Sequence, residues 1–174
     1  METEIIDLID TALKIGLGAL IAGLSTFVIA ERKYASERNA MREEDTKNEL
    51  KYISEKFQES DAGTNEFFGY VNTAIDHGED DYKKLAENCR KSMDKAFYAL
   101  GLAISSANLL GKEELFVKLS EYENLITKLD SKVDSFQRGV PDDASEFEEI
   151  SFKCEPVEKE IYKLLRQAYV KYKA

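Results

Sequence analysis

IGLGALIAGLSTFVIA, residues 15 to 30, is sixteen residues without a charge in a chain where one residue in three is charged. As a helix it rises about 24 Å, against a bilayer core of about 30 Å. If Lys14 reaches back to the headgroup level, Thr11 to Leu13 join the span, and contact with the membrane covers residues 11–30. Ile5, Ile6, Ile9 and Leu13 recur at helical spacing, so the helix is expected to start near Thr3. Met1 to Asp10 has four acidic residues and no basic one, unlike a signal peptide or a mitochondrial presequence. We therefore expect an uncleaved membrane anchor, with a buried soluble helix as the competing reading.

Small residues Gly16, Gly18, Ala19, Ala22 and Gly23 include two pairs at four-residue spacing, Gly18 with Ala22 and Ala19 with Gly23. On such a face membrane helices can approach closely, although glycine is common in membrane spans for other reasons. Basic residues flank the span unevenly, with Arg32, Lys33, Arg38, Arg42 and Lys47 after it and Lys14 alone before it. The positive-inside rule then places a C-terminal domain in the cytoplasm.

From Glu31 to Glu49 charges alternate without Gly or Pro, which predicts a solvated helical stalk, with Glu43 and Lys47 as a favourable pair. Phe27, Tyr34 and Met41 fall seven apart and hint at a coiled-coil seam; a lone solvated helix accounts for the same residues. Apolar periodicity resumes at Leu50, Ile53 and Phe57, and Asp61-Ala62-Gly63 predicts a break. A short helix with Phe67, Phe68, Val71 and Ile75 is expected to end at Gly78. Tyr82, Leu85, Cys89, Met93, Ala96, Leu100, Ala103, Ala107 and Leu110 mark the next helix, stopping at Gly111. Its second half, Ala96 to Gly111, is as free of charge as the anchor, but Ser105, Ser106 and Asn108 interrupt it, which suits a bundle core.

Leu115, Leu119, Tyr122, Ile126, Leu129, Val133 and Phe136 form a third stripe, ended by Gly139-Val140-Pro141. Phe147, Ile150, Cys154, Val157, Ile161, Leu164 and Ala168 form a fourth after Asp142-Asp143, with Pro156 expected to kink or split it. The fold expected is all-α: a single transmembrane helix continuing into a stalk, then an antiparallel helical bundle. The boundaries are 1–30 for the N-terminal segment and anchor, 31–49 for the stalk and 50–174 for the bundle.

Thirty-four acidic against 24 basic residues give a net charge of −10, which disfavours nucleic acid as a partner. Cys89 and Cys154 lack framework or CxxC spacing and read as reduced core thiols. His77 lies in Asp76-His77-Gly78-Glu79-Asp80-Asp81, where metal ligands crowd. One histidine cannot build a di-iron bundle site, and Asp81 occupies the position where a calcium loop needs Gly. A helix stop followed by an acidic helix start explains the segment without a ligand. No nucleophile elbow, phosphate loop or dinucleotide turn is present, so no catalytic residue, cofactor or metal is expected.

Tyr162, Arg166, Tyr169 and Tyr172 form a basic-aromatic face near the C-terminus, with Lys163, Lys171 and Lys173 beside them. Aromatic and Arg side chains are enriched at interface hot spots, and basic last turns also complement a helix dipole. The function expected is a non-enzymatic, membrane-anchored interaction or scaffold protein that presents its bundle to a protein partner. The alternative is a self-associating subunit of a channel, toxin or signalling receptor complex, a homo-oligomer built on the Gly/Ala face.

Overall fold

A computed structural model describes residues 2–77, 82–137 and 144–171, and among these every element is helical. The helices are α1 (Glu2–His77), α2 (Tyr82–Leu109), α3 (Glu113–Gln137) and α4 (Ala144–Val170). Two compact units emerge, 1–45 and 46–174. The side chains of residues 2–13, 74–77, 82–83, 133–137 and 144–145 lie outside the described set. The readings of Ile5, Ile6, Ile9, Leu13, Ile75, Tyr82, Val133 and Phe136 as apolar positions therefore fall there. So do the breaks at Gly78 and Gly139-Val140-Pro141 and the start at Asp142-Asp143.

In the first unit, α1 carries the one helical stretch among the described residues that is long and apolar enough to cross a membrane. Its large apolar side chains from Ile15 to Ile29 are 44% to 69% exposed, and every residue from Lys14 to Ile29 is exposed, so no face of the helix is covered. Phe27, Tyr34 and Met41 are all exposed.

In the second unit all four helices contribute to one core. Leu50, Ile53, Phe57, Ser60, Thr64, Phe67 and Val71 of α1 are buried, stepping by three and four residues as an amphipathic helix requires. Cys89, Met93, Ala96, Leu100, Ala103 and Ala107 form the inner face of α2; Leu115, Leu119, Tyr122, Ile126 and Leu129 that of α3. α4 buries Phe147, Cys154, Val157, Ile161 and Leu165. Leu164 and Ala168 are only half-buried, so the inner stripe leaves through Leu165 instead.

α2 stops where the sequence predicts. Gly111 has φ 62°, and the amides of Gly111 and Lys112 donate to Asn108 and Ala107 at 3.0 Å. This pair of bonds is a Schellman closure, which favours glycine because L side chains strain at positive φ. Three residues, 110–112, then lead into α3.

Neither of two expected interruptions splits its helix. α4 runs unsplit through Pro156, which is exposed. α1 runs unbroken through Asp61-Ala62-Gly63, because Gly63 serves close packing and not a turn. A Cβ placed there would lie 2.9 Å from the Ser92 carbonyl oxygen and 3.1 Å from Ala96 Cβ, so the missing side chain lets α1 and α2 touch. Gly63→Ala should therefore destabilise the bundle, since overpacking costs of about 1–3 kcal/mol exceed the helix-propensity gain of about 1 kcal/mol. Gly101, where a Cβ would meet nothing within 4 Å, should respond oppositely: Gly101→Ala is expected to stabilise by about 0.5–1 kcal/mol. Denaturant unfolding of the two variants checks the opposite signs.

Candidate functional site

Two features of the second unit stand out from ordinary helix packing. The first is a polar layer at mid-height in the core. α1 brings Ser60, Asp61 and Thr64 to one side, one helical turn apart, and α4 brings Cys154, Glu158 and Tyr162 at four-residue spacing. α3 adds Tyr122, whose ring is fully buried and meets Phe57 edge-on at 5.3 Å. Tyr162 also meets Phe57 edge-on, at 5.1 Å, and donates its hydroxyl to Asp61 Oδ2 at 3.3 Å. Asn65 donates to Asp61 Oδ1 at 3.1 Å, and Thr64 Oγ1 donates to the Ser60 carbonyl at 3.1 Å.

Electrostatics in this layer follow from burial. Desolvation pushes the Asp61 carboxyl above its ordinary range, against the opposing effect of the Tyr162, Asn65 and Glu158 hydrogen bonds. Glu158 is raised by desolvation and then by the neighbouring Asp61 charge. Tyr122 is raised by desolvation, and its buried hydroxyl forms no hydrogen bond of acceptable geometry although Thr64 and Glu158 border it. Ser60 Oγ is buried and equally unpartnered. Burial pushes the Cys154 and Cys89 thiols up to about 12, so both are free thiols of low nucleophilicity.

The second feature is a groove of about 560 Å³ between the two helices that flank this layer. Tyr162, Arg166 and Tyr169 of α4 line it together with Leu165, and Leu50 and Lys51 of α1 face them. Both charged residues of the lining are basic, on a chain of net charge −10. Three of the four residues expected to dock a partner thus share one concave surface, and Tyr172 lies outside the described residues.

The remaining expected positions are placed as follows. Gly16, Gly18, Ala19, Ala22 and Gly23 are exposed, and the three glycines have no atom within 4 Å of where a Cβ would be. His77 is the last residue of α1; its side chain and residues 78–81 lie outside the described set, and the described residues hold no group of three or more metal-ligating side chains. Sequence reasoning missed the polar layer. The sole local signal was a carboxylate, Glu158, one turn after a core cysteine on an otherwise apolar face.

Comparison of the chain with protein-family models, with curated proteins and with solved structures finds no match.

Proposed function

We propose that this protein is a non-enzymatic membrane tether, in which residues 11–30 cross the bilayer once and an antiparallel bundle is held in the cytoplasm to bind a protein partner. The observation that carries the reading is the apolar surface from Ile15 to Ile29, exposed around the whole helix. A helix that docks into a protein groove buries one stripe and keeps its other face polar, whereas lipid solvates all sides at once. The uneven flanking charge, five basic residues after the span and one before it, supports the orientation.

The antiparallel arrangement rests on the order of the pairs between helices. Phe67 of α1 meets Phe147 near the start of α4, while Asp61 meets Tyr162 and Leu50 faces the groove residues further along α4. Lys132, late in α3, pairs with Glu146, early in α4. The stretch 31–49 acts as the stalk.

The groove lined by Tyr162, Arg166 and Tyr169 is the docking surface in this reading, because its aromatic and basic lining differs from the acidic remainder of the chain. A photo-crosslinking side chain at Tyr169, in membranes where the full chain resides, should give one discrete adduct that Arg166→Glu removes. The same group at Tyr98, exposed on α2, should give none. Equal labelling from both positions, or none from either, would count against a docking role.

Self-association through Gly16, Gly18, Ala19, Ala22 and Gly23 is the second reading, favoured by the open space beside all three glycines. Gly18→Leu with Gly23→Leu should abolish crosslinked oligomers under that reading and leave a plain tether unchanged.

A further inference from the structure

Asp61 on α1 accepts the Tyr162 hydroxyl at 3.3 Å, and Glu158 stands one helical turn before Tyr162 on α4, so the two carboxyl groups border one another and each acts on the other. Among the described residues, no lysine or arginine is among the main influences on either group. α1 supplies Asn65 and the Ser60 and Thr64 hydroxyls, and α3 supplies the Tyr122 phenol. α4 supplies Tyr162, Cys154 and Glu155, the last already paired with Lys159 at 2.5 Å. α2 meets α1 at this level with uncharged Ser92 and Ala96. Two acids that share a site without a cation cannot both ionise at low cost.

A second observation comes from α3. Tyr122 is 0% exposed, its hydroxyl has no partner, and it borders Thr64 and Glu158. Burying an unpaired hydroxyl costs about 1–3 kcal/mol, so its presence beside the pair needs an account. With one proton bound, a single negative charge is left in the layer, and the Tyr162 and Tyr122 hydroxyls join the Asn65 amide as donors placed to stabilise it. We propose that Asp61 and Glu158 form a proton-binding site that ties α1 to α4 while the proton is held and loosens that seam when it is lost. Tyr162 lines the groove and donates to Asp61, so one hydrogen bond links the state of the site to the groove wall.

The direction of the pH dependence follows. Both carboxyls are raised in the folded chain, while in the unfolded chain they titrate near about pH 4. The folded state therefore binds the extra proton above that point. The stability it confers is complete below the ordinary carboxyl range and is lost as pH rises through the folded-state value.

The test compares the full chain in detergent micelles with Glu158→Gln, which imitates the protonated form, by denaturant unfolding from about pH 4 to about pH 9. The ratio of the two folding equilibrium constants should change about tenfold per pH unit inside the window, with the variant the more stable at the alkaline end. A ratio that stays flat across the range overturns the proposal. So does a ratio that responds to added calcium at fixed pH and not to pH, since the ligand is then a metal cation. Should the variant fail to fold, carbon-13 shifts of the wild-type carboxyls decide. One group of the pair is expected to titrate well above the exposed Glu149 and Glu155, and titration of both with those two overturns the site.

Discussion

Replacing Leu20 and Leu24 with arginine should move the protein from the membrane pellet to the soluble fraction. Both residues sit near the middle of the uncharged stretch and are 61% and 57% exposed, so neither supports the bundle core. An arginine at the centre of a membrane helix costs about 2.5–3.5 kcal/mol on insertion scales, and two cost about 5–7 kcal/mol. That is a shift of more than a thousandfold in the membrane equilibrium. Alkaline extraction of membranes followed by sedimentation reads the outcome. Leu109→Arg, at a position 87% exposed at the end of α2, is the control and should leave the distribution unchanged.

Phe57→Ala should cause the largest loss of bundle stability. The ring is fully buried, with Tyr122 edge-on at 5.3 Å and Tyr162 at 5.1 Å, and it joins α1 to α3 and α4 together. Truncating a core phenylalanine costs about 3–5 kcal/mol, a large part of the 5–15 kcal/mol that holds an ordinary domain folded. The melting temperature should fall by about 10–20 °C. Phe152→Ala, at a ring 74% exposed, should stay within about 0.5 kcal/mol of the wild type.

The helices of the bundle are legible in the sequence because their signal is local. The steps from Leu85 to Ala107 and from Leu115 to Leu129 repeat at the helical period, and Gly111 closes α2 as its position predicts. The local rules fail where a distant partner decides. Asp61-Ala62-Gly63 has the composition of a turn, yet Gly63 is set by Ser92 and Ala96 on another helix. Pro156 has the look of a breaker, but on the exposed side of α4 the neighbouring turns carry the helix past it.

The candidate sites divide in the same way. Tyr162, Arg166 and Tyr169 are neighbours on one helix and could be grouped from spacing alone. Their meeting with Leu50 and Lys51 depends on the register between helices far apart in the chain. Asp61 and Glu158 were two acids among 34, and only the packing of α1 against α4 distinguishes them from the others.

The central claim is that lipid surrounds the helix from Ile15 to Ile29. Spin labels placed singly at each position from 12 to 34 in the full chain, reconstituted into bilayers, test it directly. Oxygen should reach labels on all faces between residues 15 and 29, with a maximum near the middle, while a water-soluble nickel reagent should be excluded there and return beyond Arg32. Access of the nickel reagent throughout that stretch, or a 3.6-residue rhythm of its access along one face, would contradict a membrane-spanning anchor.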